Sequence, residues 1–206
     1  MLGVYNYTVI LTYIGMLTGF CGVIHTLDGN LHGALVCLMV AGLCDMFDGA
    51  VASTRTRTSK EKRFGVQIDS LSDLVCFGVL PAVISYAAAG KTTVSLVLAG
   101  LYLLCALIRL AWFNVDEEER QEHENGSRTV YYGLPVTTSA LILPALMELG
   151  SKLGWPVGGY APLALLVMAT AFLTPFKLRK PQLRGKVVML LTGIAEFAVL
   201  LTRWAI

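Results

Sequence analysis

The chain has 206 residues, a formal net charge of +2, 55% hydrophobic residues and only 15% charged ones. Soluble globular domains carry about 25% charged residues, so an ordinary soluble domain is excluded, and no nucleic-acid partner is expected. The length suits one domain over 1–206, and the apolar residues are gathered into runs of the roughly 20 residues that a membrane-spanning helix needs.

Seven apolar segments are predicted as helices, over roughly 7–27, 31–54, 64–89, 92–115, 131–150, 158–176 and 186–205. The first is read as a span and not a cleaved leader, because no basic run precedes it and no small-residue cleavage site follows. The second and third each carry a pair of acids where they face a short basic turn. That turn holds Arg55, Arg57, Lys60, Lys62 and Arg63. The stretch at 116–128 is mostly acidic and reads as a solvated connector. The sixth segment holds Pro162 and Pro175 and is the weakest as a span. Basic residues recur between the fourth and fifth segments and between the sixth and seventh. Only Lys91, Lys152 and Arg203 fall on the opposite side, so the positive-inside rule places the N-terminus and the basic loops in the cytoplasm. Five cysteines lie scattered in apolar stretches with no CxxC pair, which argues against a disulfide framework.

The stretch 45–73 carries the chemistry. Asp45 and Asp48 are three apart and share a helix face; Asp69 and Asp73 are four apart and share another. A short turn joins the two helices, so the four carboxylates can converge. At ~1.5 Å per residue, Asp45 lies about 21 Å along its helix, which puts the acids in the inner leaflet near the lipid headgroups. Four clustered carboxylates repel one another and must protonate in part or bind cations. No Lys or Arg is interleaved on those faces. Two divalent cations, Mg²⁺ or Mn²⁺, are the natural solution, and such a pair can clamp a phosphoryl group. Gly49, Ala52 and Gly65 leave room beside the acids, or serve close helix packing.

The pattern Asp45-x-x-Asp48-Gly49-x-x-Ala52-Ser53, then Gly65-x-x-x-Asp69-x-x-x-Asp73, resembles the signature of the CDP-alcohol phosphotransferase family. It departs twice. Ser53 stands where the family has Arg, and the gap from Ser53 to Gly65 is about three residues longer than usual; Arg55 or Arg57 would supply the missing cation. The resemblance implies an all-α integral membrane fold with a six-helix core, here with one more C-terminal helix, and a homodimer. It implies that Asp45, Asp48 and Asp69 hold metal, that Asp73 holds the second ion and acts as general base, and that Gly49, Ala52, Ser53 and Gly65 line the CDP site. The implied reaction is attack of an alcohol on a CDP-linked lipid, with CMP leaving.

The acceptor is read from other stretches. ALIRLAWFNV at 106–115, YYGLPV at 131–136 and IDSLSDLVCFGVLPA after Gly65 resemble the serine-using branch of that family. Together they imply CDP-diacylglycerol as donor and L-serine as acceptor. Arg109 is a partner for a serine carboxylate or a lipid phosphate, or else snorkels to the interface; Asn114 is a further candidate contact. Lys177, Arg179 and Lys180 would hold acidic headgroups of membrane lipids or simply set topology. Glu196 is an isolated acid in the last segment with no family role. Glycerol 3-phosphate, an inositol phosphate, choline or an archaeal-type lipid donor remain open within the family, as does a non-catalytic member. A cation transporter would place its acids nearer the midplane, between related repeats.

Overall fold

The computed structural model describes residues 3–123, 130–179 and 183–204. Each of the seven predicted segments holds a helix. A 3-10 turn at Tyr7–Val9 leads into α1 (Ile10–Leu27), and α2 spans Leu31–Ala52. Gly29 reverses the chain between them at φ +80°, a conformation open to glycine without a Cβ clash. Asn30 then caps α2 by accepting from the Gly33 amide at 2.9 Å.

The third segment is one helical run, Ser59–Ala88. It comprises α3 (Ser59–Asp73), a π turn (Leu74–Val79) and α4 (Leu80–Ala88). It begins ahead of the predicted 64 because Thr58 and Glu61 form a reciprocal capping box. Pro81 follows the π turn and has no N–H to give the Phe77 carbonyl, and two side chains take that acceptor instead. Tyr102 donates to it at 2.6 Å and Ser139 at 3.4 Å.

Two boundaries differ from the sequence reading. Helix α5 (Thr93–His123) runs on through the acidic stretch predicted as a connector, whose residues 124–128 lie outside those described. The apolar run ends at the membrane boundary, but Glu, Arg and Gln are strong helix formers and continue the helix into water. Helix α6 (Ser139–Lys152) starts later than 131. Before it, β1 (Val130–Tyr132) pairs antiparallel with β2 (Lys177–Arg179), Tyr131 opposite Leu178. Gly133 follows at φ +74°, and a Cβ there would meet the Phe172 carbonyl at 2.8 Å. Pro135 and a 3-10 turn at Val136–Thr138 complete the entry. Helix α7 (Val157–Leu173) stops before Thr174, which is extended because Pro175 follows. Helix α8 (Leu183–Trp204) ends the described chain.

The result is an all-α membrane protein with a single two-stranded ribbon among the described residues. Tyr7–Leu27, Leu31–Ala52, Ser59–Ala88 and Thr93–Glu119 are long and apolar enough to cross a bilayer; Val157–Leu173 and Leu190–Thr202 are shorter. The packing is that of a bundle in lipid. On α5, Ala99, Tyr102 and Ala106 are buried while Leu96, Leu101, Leu104 and Ile108 face outward.

Close approach of the first helices sets the site. A Cβ at Gly15 would lie 3.2 Å from Cys44 Cβ, one at Gly19 would lie 2.6 Å from Cys76 Sγ, and one at Gly22 would lie 2.9 Å from Cys37 Cβ. This glycine stripe lets α1 pack directly on α2 and on the α3–α4 run, which brings the two acid-bearing helices together.

Candidate active site

Asp45 and Asp48 lie in the last two turns of α2, and Asp69 and Asp73 close α3. Asp45, Asp48 and Asp69 each offer a carboxylate oxygen within 4.8 Å of the others. Asp73 joins them around a small space of about 10 Å³, together with Thr12 and Ser72. That is the size of one water or one small ion. Across an octahedral cation with ~2.1 Å bonds, opposite oxygens stand roughly 4.2 Å apart, so this spread needs little adjustment to close on an ion. The donor set is all carboxylate oxygen, suited to a hard cation.

Three of the acids, Asp45, Asp69 and Asp73, also head a cavity of about 700 Å³. Its walls are apolar: Met39 and Leu43 of α2, Leu110 and Phe113 of α5, the Leu134–Thr138 entry, Leu141 of α6, and Leu190, Gly193, Ile194 and Phe197 of α8. The ribbon contributes Leu178. Arg109 is the cation in this wall. Only 8% of it is exposed, and its guanidinium lies 5.7 Å from the centroid of the Phe113 ring. Arg109 therefore sits inside the bundle and does not reach out to the interface.

The other predicted residues separate. Gly49 faces open space, with nothing within 4 Å of a Cβ built there. Ala52 is buried in the helix packing. Ser53 turns its hydroxyl back onto the Ala50 carbonyl at 2.7 Å and finishes α2. A Cβ at Gly65 would stand 3.2 Å from Arg57 Nη1, so Arg57 lies over Gly65, whereas Arg55 is exposed and 4.0 Å from Glu61. Asn114 accepts from the Ser70 hydroxyl at 2.7 Å, a tie between α5 and α3 next to Asp69. Glu196 is half-buried, and among the described residues nothing hydrogen-bonds its Oε2. Lys177 is exposed on β2, and Lys180 lies outside the described residues.

The sequence reading missed Thr12. Its buried hydroxyl donates to Asp48 Oδ2 at 3.1 Å, and its carbonyl accepts from Ser72 at 3.4 Å. Gly15, Gly19 and Gly22, spaced for close packing, are the sequence signal that the reading passed over, and they do not show which polar group α1 carries to the acids.

The chain is thus an all-α membrane bundle with a carboxylate cluster at the head of an apolar cavity. The comparison with known families is specific. A sequence model of the CDP-alcohol phosphatidyltransferases matches residues 5–175, and the chain belongs to that family. It is 38% identical over 143 residues to the CDP-diacylglycerol–serine O-phosphatidyltransferase of Saccharomyces cerevisiae, covering 64% of this chain and 51% of that protein. The archaetidylserine synthase of Methanothermobacter thermautotrophicus is 32% identical over 142 residues, covering 68% and 57%. The CDP-diacylglycerol–serine O-phosphatidyltransferase of Mycobacterium leprae is 32% identical over 147 residues, covering 70% and 47%. The chain thus spans about half the length of these relatives.

Proposed function

We propose that this chain transfers the phosphatidyl group of CDP-diacylglycerol to the hydroxyl of L-serine, giving phosphatidylserine and CMP. The observation that carries the reading is the convergence of Asp45, Asp48 and Asp69, of which Asp45 and Asp69, with Asp73, also line an apolar cavity of about 700 Å³. The serine assignment rests on similarity to proteins named for serine transfer, two of them for phosphatidyl and one for archaetidyl transfer.

Two divalent cations, Mg²⁺ or Mn²⁺, would be held by Asp45, Asp48, Asp69 and Asp73. When bound, they supply charge stabilisation at the phosphoryl oxygens. The remaining work falls to the protein. Asp73 borders both the acid space and the cavity, so its carboxylate takes the proton from the incoming hydroxyl. The hydroxyl oxygen bonds to the lipid-bearing phosphorus, and the bond from that phosphorus to the bridging oxygen breaks, leaving CMP. Open space at Gly49, together with Gly65, receives the nucleotide. The apolar wall from Met39 to Phe197 receives the acyl part of the donor, excluding water from the reacting centre. Arg109, buried between that wall and the acids, pairs with the serine carboxylate or the lipid phosphate.

The whole chain 1–206 is read as one catalytic unit working as a homodimer. The acids lie at the end of α2 that meets the basic turn 55–63, which the charge bias puts in the cytoplasm. An archaeal-type lipid donor is the second reading, supported by the similarity to an archaetidylserine synthase.

The test is CMP release by the purified protein with Mn²⁺ or Mg²⁺. L-serine, glycerol 3-phosphate, an inositol phosphate and no acceptor are compared, each with a diacyl and an archaeal ether donor. Release dependent on serine is expected. Release with another acceptor overturns the serine assignment, and no release with any pair overturns the transfer reading.

A further inference from the structure

The two acid-bearing helices are tied together, where their turn joins them, by a segment that belongs to neither. Tyr7 Oη lies 3.2 Å from Thr54 Oγ1, six residues past Asp48. Asn6 Nδ2 donates to Glu61 Oε1 at 3.0 Å, eight residues ahead of Asp69. Two adjacent residues thus reach the end of α2 and the start of α3. Both are anchored on their own side. Asn6 Oδ1 accepts from the Thr8 amide at 3.1 Å and from the Thr8 hydroxyl, which caps the turn leading into α1. Tyr13 of α1 donates to the Val4 carbonyl at 2.7 Å and fastens the residues before them. Glu61 is anchored too, since its Oε2 accepts from the Thr58 amide at 2.8 Å and from the Thr58 hydroxyl at 3.0 Å.

Helix α1 also forms one side of the acid space. Leu11, Thr12 and Gly15 border it with the four acids. The Thr12 hydroxyl donates to Asp48 of α2, and Ser72 of α3 reaches the Thr12 carbonyl. The N-terminal part of the chain therefore meets both acid-bearing helices at two levels: beside the acids through Thr12, and at the turn through Asn6 and Tyr7. Asp45 and Asp48 repel Asp69 and Asp73 when ionised, which pushes α2 and α3 apart wherever cations do not offset the charge. A site whose ligands must first be brought together binds more weakly, by the fraction of molecules in which they already are together.

We infer that residues 6–7 are a brace that holds α2 and α3 at the spacing the cation site needs, with Asn6 and Tyr7 as positioning residues for metal binding. The inference rests on the proposed binding of divalent cations by the four acids. One hydrogen bond of ordinary net strength shifts a balance between closed and splayed helices about three- to tenfold. The sign separates this from simple electrostatics. Asn6→Asp keeps the oxygen that caps Thr8 but sets a carboxylate against Glu61, so the tie breaks and Mn²⁺ binding weakens. Its added negative charge, acting alone, would strengthen Mn²⁺ binding instead.

The experiment measures Mn²⁺ affinity of the purified full chain by electron paramagnetic resonance, at a temperature well below the thermal midpoint of every variant. Asn6→Asp is expected to weaken Mn²⁺ about three- to tenfold and Tyr7→Phe about two- to threefold. The double variant Asn6→Asp/Glu61→Gln exchanges donor and acceptor across the tie. The introduced amide donates to the introduced carboxylate, its oxygen still accepts from Thr58, and the net charge is that of wild type. Its affinity is expected within about twofold of wild type, a rescue that a general loss of stability does not produce.

Wild-type or tighter Mn²⁺ binding in Asn6→Asp together with wild-type binding in Tyr7→Phe overturns the brace. A double variant as weak as Asn6→Asp overturns the Asn6–Glu61 tie as its route. Tyr7→Phe changes one exposed hydroxyl, so it reports even where Asn6→Asp fails to fold. CMP release on the same preparations separates this from the transfer reading. The expected Mn²⁺ pattern without CMP release supports the brace while sinking transfer, and a wild type that binds no Mn²⁺ overturns the brace and the metal assignment together.

Discussion

The Thr12 hydroxyl donates to Asp48 Oδ2 at 3.1 Å, so a helix that carries none of the four acids orients one of them. Helix α1 can do this because its glycines let it approach the α3–α4 run closely enough for Ser72 to reach the Thr12 carbonyl and Cys76 Sγ to lie 3.3 Å from the Gly15 carbonyl. Groups that orient carboxylate ligands typically govern metal affinity by roughly 10–100-fold. Thr12→Val keeps the shape and removes the donor. The Mn²⁺ concentration for half-maximal CMP release should rise by about tenfold in Thr12→Val and stay near wild type in Thr12→Ser. Equal Mn²⁺ requirements in all three proteins would remove Thr12 from the site.

Asp73 stands at the junction of the acid space and the apolar cavity, where on the proposed reading an incoming hydroxyl would meet the donor phosphate. Loss of a general base costs about 10²–10⁴ in rate. Asp73→Asn should lower kcat by at least that range and weaken the second ion, while Asp45, Asp48 and Asp69 still bind the first Mn²⁺. Asp45→Asn, Asp48→Asn and Asp69→Asn should each weaken Mn²⁺ binding itself. Full activity in a folded Asp73→Asn protein would eliminate the base assignment. Chelation should abolish CMP release, and added Mn²⁺ or Mg²⁺ should restore it.

Much of this candidate site is legible in the sequence. Asp45, Asp48, Asp69 and Asp73 announce themselves because acids are costly in an apolar helix, and spacings of three and four place each pair on one face. The family followed from the same residues. Other features depend on tertiary relationships that a linear pattern does not encode. The cavity wall joins α2, α5, α6 and α8. Arg57 and Arg55 look equivalent in sequence, and only Gly65 and Glu61 distinguish them. The continuation of α5 to His123 was hidden because apolarity marks where a helix leaves the membrane, not where it ends. The ribbon at Val130–Tyr132 was hidden for the opposite reason, since an apolar run there was broken by Gly133 and Pro135.

Helix α8 lies beyond residues 5–175, the part that matches the family, yet it closes one side of the cavity with Leu190, Gly193, Ile194 and Phe197. An added Cβ at Gly193 would sit 3.3 Å from Leu141 Cδ2, across from it in the wall. Gly193→Leu projects a branched side chain into the space assigned to the acyl part of the donor. KM for a long-chain CDP-linked lipid should rise severalfold, while affinity for CDP, which has no acyl chain, should not change. Loss of CDP affinity in Gly193→Leu would mean that the cavity serves the nucleotide and not the lipid.

The π turn after Asp73 provides a stability prediction independent of the chemistry. Pro81 frees the Phe77 carbonyl, and the Tyr102 hydroxyl satisfies it at 2.6 Å from a fully buried position. Tyr102→Phe keeps the ring and its packing on Phe172, whose centroid is 5.4 Å away, but removes the stronger of two donors. Ser139, at 3.4 Å, is too distant to replace it fully. The cost should be about 1–3 kcal/mol, read as a lower thermal midpoint in detergent. Pro81→Ala supplies a backbone N–H that can take the carbonyl directly, so in that background Tyr102→Phe should cost distinctly less. An identical cost with and without Pro81 would show that the tyrosine hydroxyl does not act through the carbonyl that the proline releases.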